Sequence, residues 1–164
     1  MKIQAGRPAN WLKCVIAIAG SQLAGFIGAV FTMPAIATWY AALNRPFLSP
    51  PNWVFGPVWT ILYTLMGVAA FLVWRQGLQL ARVKQALRFF VLQLCLNSLW
   101  SMLFFGFQSP GIAFLEILIL WSMILVTIML FFRCSRVAGW LMIPYIVWVS
   151  FATYLNGSIW LLNR

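Results

Sequence analysis

The sequence predicts an all-α integral membrane protein, one bundle of five transmembrane helices, and three observations predict it. Hydrophobic residues make up 64% of the 164, with charged residues at 7% and a single carboxylate side chain, far too little polar surface to clothe a soluble domain. Five apolar runs, at about 12–33, 54–74, 87–107, 112–132 and 137–160, each approach the roughly 20 residues that a helix needs to cross a bilayer. No segment alternates apolar and polar residues as a barrel strand would, which leaves helices as the spanning form. One domain over residues 1–164 is expected, without a soluble module, a low-complexity tail or a fixed-period repeat.

The first run is too long for the apolar stretch of a usual secretory signal, so it reads as a mature helix. Gly20, Ala24 and Gly28 recur at four-residue spacing, a small-residue face that serves packing within one chain more often than dimerisation. Pro34 is expected to end this helix. Loop 1 follows, with Pro46, Pro50, Pro51 and Pro57 interleaved among Trp39, Tyr40, Trp53 and Trp59. Prolines fix φ, so the loop is shaped rather than slack. Its aromatics either line a site for a flat ligand or sit at the membrane interface.

Polar residues inside the runs need partners in hydrocarbon and should face inward. In the third run Gln93, Asn97 and Ser101 recur every fourth residue, with Trp100 and Phe104 on the flank. Gln108-Ser109-Pro110-Gly111 makes a tight turn into the fourth run, where Glu116 is the chain's one acid, about a turn from the interface. Pro144 should bend the fifth run, in which Tyr145, Trp148, Ala152 and Asn156 form another polar and aromatic face. Spacing alone favours interhelical hydrogen bonding for these faces over a ligand cavity and leaves both open. Glu116 is a structural group or a proton-coupling one, its shallow depth favouring the first.

The net charge of +10 does not indicate nucleic acid. Lys2, Arg7 and Lys13 precede the first helix, Arg75, Arg82, Lys84 and Arg88 separate the second and third, and Arg133 and Arg136 separate the fourth and fifth; the opposite side holds only Arg45 and Arg164. This asymmetry places the N-terminus in the cytoplasm and loop 1 across the membrane, with the cations meeting anionic lipid. Cys14, Cys95 and Cys134 show no pairing pattern or metal spacing. Histidine is absent, which removes the commonest metal ligand and general base and with them most hydrolytic chemistry; no metal or required cofactor is expected.

An ordered set of motifs then points to a family. Trp39-Tyr40-x-x-Leu43-x-x-Pro46-x-x-x-Pro50-Pro51, Trp59-x-x-x-Tyr63, Asn97 with Trp100 and Phe104-Phe105-Gly106, and Pro144-Tyr145-x-x-Trp148-x-x-Phe151-Ala152-Thr153-x-Leu155-Asn156 resemble the TspO/MBR family of translocator proteins over residues 12–160. The resemblance implies a homodimeric five-helix protein of a bacterial cell membrane, or an organelle membrane, whose cavity beneath loop 1 takes protoporphyrin IX, haem or a related tetrapyrrole. It implies ligand contacts at Tyr40, Pro50, Trp59, Asn97, Trp100, Ser101, Trp148, Phe151 and Ala152. It also associates Trp59 and Trp148 with light- and oxygen-dependent porphyrin breakdown. Two departures stand out: Glu116 replaces the family's usual Asp, and Gly157 occupies the place of the tyrosine in the sterol pattern, which argues against high-affinity cholesterol binding. Three classes of function follow. The favoured one is a porphyrin-binding protein that buffers, transports or senses its ligand with loop 1 as lid. The others are a slow porphyrin-degrading enzyme and a proton-coupled exporter that uses Glu116.

Overall fold

The computed structural model describes residues 9–164, so Lys2 and Arg7 of the basic set fall outside the described residues. Within them the chain is helical and contains no strand. Helix α1 spans Asn10–Ile36, and a single turn, α2 (Trp39–Ala42), begins loop 1. A 3-10 turn at Asn52–Val54 leads into α3 (Phe55–Trp74). Helix α4 (Ala81–Ser101) is prolonged by a π-helical turn at Met102–Gly106. Helix α5 covers Pro110–Cys134, and the last span is divided into α6 (Arg136–Leu141) and α7 (Ile143–Leu162). Five spans of 23 to 27 residues result, each long and apolar enough to cross a membrane.

The boundaries differ from the sequence expectation in two places, at Pro34 and at the start of α4. Pro34 lies inside α1, which runs on to Ile36. So near a helix end the ring removes one backbone bond without a further turn to disrupt, and the Thr38 hydroxyl donates to the Pro34 carbonyl at 3.0 Å. Helix α4 begins at Ala81, so Arg82, Lys84 and Arg88 ride on its first turns rather than in a loop. Their long apolar stems suit a helix that emerges through the headgroup region. The expected interruption of the fifth span is present: the helix breaks at Met142, and Pro144 sits in the first turn of α7, where its missing N–H costs little. Ser135 caps α6 by accepting a hydrogen bond from the Ala138 amide at 3.3 Å.

Two contacts fix which loops share an end of the bundle. The Gln76 amide donates to the Cys134 carbonyl at 2.6 Å, joining the α3–α4 and α5–α6 connections with Arg75, Arg82, Lys84, Arg133 and Arg136 around them. At the other end Asn163 both accepts from the Asn44 amide and donates to its carbonyl, each at 2.9 Å, which ties loop 1 to the end of α7. The core lies among α3, α4, α5 and α7, with Met66, Val73, Ile124, Phe131 and Tyr145 fully buried. Helix α1 is the most peripheral span and buries only Ser21, Ala24, Gly28 and Ala35. Ala24 and Gly28 thus pack within the chain, whereas a Cβ at Gly20 would meet nothing.

Candidate functional site: an aromatic cavity under loop 1

A cavity of about 660 Å³ lies under loop 1, enclosed by α1, the start of α3, the end of α4 and the middle of α7. Its roof is Tyr40, only 4% exposed, whose ring packs on Phe104 and Phe105 at centroid distances of 6.3 and 5.7 Å. The π-helical turn carries both of these phenylalanines. Burial raises the Tyr40 phenol above its ordinary pKa, and the Arg45 guanidinium, 5.3 Å over the same ring, offsets only part of that rise. Arg45 also reaches the Asn52 side chain at 3.5 Å, so the cation is held across the two ends of loop 1.

The floor is a stack backed by a polar chain. Trp59 lies on Tyr63 with ring centroids 5.4 Å apart and planes 28° apart. The Tyr63 hydroxyl donates to Asn97, the Asn97 amide donates to the Tyr145 hydroxyl at 3.1 Å, and Tyr145 donates to Gln93 at 2.9 Å. Every member of that chain is buried, as polar groups in a hydrocarbon-embedded bundle must be if they are to find partners. Trp148 and Phe151 form a side wall at 5.7 Å from each other, with Phe55 edge-on to Trp148. Trp100 stacks on Phe104 at 5.2 Å, and its indole N–H goes to Asn156 at 2.9 Å. Asn156 in turn donates to the Pro110 carbonyl at 2.7 Å, securing the start of α5.

Of the residues that the resemblance implied, Tyr40, Trp59, Trp100, Ser101, Trp148, Phe151 and Ala152 line this cavity. Pro50 lies in loop 1 outside the wall, and Asn97 stands behind Tyr63 rather than facing the space. The two readings of the polar faces therefore divide along each helix. On α4, Gln93 and Asn97 are interhelical hydrogen-bonding groups while Ser101 borders the cavity; on α7, Tyr145 and Asn156 bond and Trp148 and Ala152 border it. Glu116 is buried in the bundle, is not part of the wall, and neither of its oxygens has a hydrogen-bond partner among the described residues.

The implied contacts included nothing from α1, yet that helix supplies a whole wall through Gln22, Gly25, Ala29, Thr32 and Ile36, among others. The signal was present in the small and polar residues at 22, 25, 29 and 32, one helical face, next to the stripe noted for packing. Gln22 donates to the Thr60 carbonyl and to the Thr64 hydroxyl, each at 3.0 Å, and so pins α1 to α3 at the lower end of the cavity.

Comparison with known proteins agrees with this architecture. The model of the TspO/MBR family matches residues 17–161. The chain is 43% identical over 155 residues to the tryptophan-rich protein TspO of Archaeoglobus fulgidus, covering 94% of this chain and 99% of that one. It is 40% identical over 125 residues to the tryptophan-rich sensory protein of Cereibacter sphaeroides, 76% of this chain and 77% of that one. It is 33% identical over 151 residues to the human translocator protein, 92% and 89% of the two chains. Five spans, the ordered aromatic motifs and a match over nearly the full length make this multi-pass membrane protein a member of the TspO/MBR family.

Proposed function

We propose that the cavity binds a flat tetrapyrrole such as protoporphyrin IX or haem, and that binding serves sensing, buffering or transport of that ligand across or within the membrane. The observation that carries the reading is the cavity itself. At about 660 Å³ it falls inside the roughly 300–1,000 Å³ of ordinary small-molecule sites, and its walls offer the ring faces of Trp59, Trp100, Trp148 and Phe151 with few polar groups. Arg45 at the roof is the cation available to a ligand carboxylate. Two of the relatives are named as a sensory protein and a translocator, in keeping with such a role. The positive-inside asymmetry supports an orientation in which the roofed end faces away from the cytoplasm.

Titration of the protein in lipid nanodiscs with protoporphyrin IX in the dark tests the proposal. Saturable quenching of tryptophan emission with a matching Soret shift is expected, weakened in Trp148→Ala. Linear partition without saturation, identical in empty nanodiscs, refutes it.

A second reading, light-dependent breakdown of the bound porphyrin, has one observation in its favour. Trp100 and Trp121 donate their indole N–H groups to Asn156 and Ser150, whereas Trp59 and Trp148 border the cavity with no such bond among the described residues. Trp59→Phe and Trp148→Phe keep a stacking face and should preserve dark binding while slowing loss of the Soret band under illumination. The exporter reading draws no comparable support, because Glu116 does not reach the cavity wall.

A further inference from the structure

We infer that the ligand enters this cavity sideways from the bilayer, through the seam between α1 and α3, rather than through loop 1. The inference rests on reading the cavity as a ligand site and concerns the route into it.

The boundaries of the space are unequal. Above, Tyr40 is packed under Arg45 and against Phe104 and Phe105, and loop 1 is tied to α7 by the paired Asn44–Asn163 hydrogen bonds. Below, the Trp59–Tyr63 stack rests on Asn97, and α1 and α3 touch: a Cβ on Gly67 would lie 2.5 Å from the Ile18 Cα. Toward α4 and α7 stand Trp100, Ser101, Trp148 and Phe151. On the remaining side the wall residues are themselves exposed, Phe26 at 67%, Met33 at 72% and Trp53 at 75%. Gly56 belongs to the same wall, is exposed, and a Cβ placed on it meets nothing within 4 Å. Both helices are membrane spans, so a residue exposed here faces acyl chains.

The opening is bounded at the bottom by Gln22, which bonds to Thr60 and Thr64. From Gln22 up to Met33 the helix rises about 16 Å, roughly half of the hydrocarbon thickness. Its lower rim is thus near mid-membrane and its upper rim near the interface that carries Arg45. This suits a particular class of ligand: a flat apolar body dissolved among the acyl chains, with acidic groups at one edge. Such a molecule can slide in edge-on while its carboxylates stay at headgroup level and pass to Arg45. No charge then crosses hydrocarbon, where an ionised group costs about 2.5–3.5 kcal/mol or more at the centre. Passage through loop 1 would instead require the Asn44–Asn163 pair and the Tyr40 packing to be broken at each entry.

Filling the seam tests the route. The protein is reconstituted in vesicles, mixed with donor vesicles loaded with protoporphyrin IX, and followed by the Soret shift in stopped flow. Gly56→Phe and, independently, Met33→Trp place a ring in the opening from opposite helices. Each should slow both association and dissociation by about tenfold or more, the signature of a raised barrier, whereas a faster dissociation would mean that the added ring had weakened the site instead. Gly56→Ala leaves the gap open and should match wild type, and Pro50→Ala with Pro51→Ala should leave the association rate unaltered. Should Gly56→Phe fail to fold, Met33→Trp, at a lipid-facing position, decides alone. Saturable binding by wild type with unchanged rates in the filled variants overturns the lateral route and leaves the site intact, as does a rate change confined to the loop variants. Absence of saturable binding by wild type overturns the site reading and this inference with it.

Discussion

Helices α1 and α3 form one seam with two characters, divided at Gln22. Below it Gly67 lets the two backbones meet at Ile18, and just above it Gly25, level with the cavity floor, makes room for the Tyr63 ring. Above it the helices leave a gap, and Gly56 faces open space. The same residue type thus does opposite things within eleven positions of one helix: at Gly67 it permits close packing, and at Gly56 it preserves an opening. Small residues in membrane spans are commonly read as packing faces. Here the neighbour across the seam decides, because only a backbone within reach turns a missing side chain into a contact.

Substitutions at the two glycines should therefore separate widely. Gly67→Ala sets a methyl group against the Ile18 backbone, which cannot rotate away as a side chain would. A loss of about 3 kcal/mol is expected, the upper part of the range for overpacking. Reversible unfolding in mixed detergent micelles measures it. A loss below half that value would mean that the lower seam is looser than the contact indicates.

Asn97→Leu tests the closed half from the other side of the floor. It leaves the Tyr63 hydroxyl without its acceptor in a buried position and removes the amide bond to Tyr145, which keeps Gln93 as acceptor. About 2 kcal/mol of stability should be lost, in line with one buried polar group stranded. Ligand affinity should fall too, through Tyr63 and the Trp59 stacked on it rather than through direct contact. Unchanged affinity in Asn97→Leu would detach the polar chain from the cavity floor.

Much of this was legible in the chain before any fold was known. Five apolar runs gave five spans; the family resemblance pointed to Tyr40, Trp59, Trp100, Trp148 and Phe151, which line the cavity, whereas spacing alone favoured packing. What periodicity could not supply was depth along a face. Asn97 and Ser101 share one side of α4, yet a single turn separates a group consumed by two tyrosines from one bordering empty space. The α1 wall escaped because glycine, alanine and threonine announce no chemistry of their own; they enclose a cavity by being small. Helix ends shifted for a related reason. The apolar run stops at Leu87, short of Lys84 and Arg82, but the helix does not, and α4 starts six residues earlier at Ala81.

Gln22 sits on the dividing line, and its removal should have a moderate effect. Gln22→Leu deletes the bonds to Thr60 and Thr64 and leaves the Thr64 hydroxyl with its own bond to the Thr60 carbonyl. With membrane-buried side-chain hydrogen bonds averaging about 0.6 kcal/mol each, about 1 kcal/mol is expected. The lower rim of the opening should loosen at the same time, seen as faster hydrogen exchange in α1 around residues 22–29. Protection equal to wild type would show that Gly67 and Gly25 hold the seam without the glutamine.

Gly56→Ala should have the smallest effect and is the control on the whole comparison. The added methyl group enters space with no atom within 4 Å, so no overpacking term arises. Alanine is favoured over glycine by up to about 1 kcal/mol inside a helix, but Gly56 is the second residue of α3, where little helical backbone depends on it. A change within about 0.5 kcal/mol of wild type is expected, on the stabilising side if any. Because Gly56 and Gly67 are about 16 Å apart along the helix, the double variant should show the Gly67→Ala loss with nothing further. A loss from Gly56→Ala comparable to that at Gly67 would mean that α1 closes on α3 along its full length in the membrane. In that case the upper seam would be a packed interface, and the cavity would have no opening toward lipid.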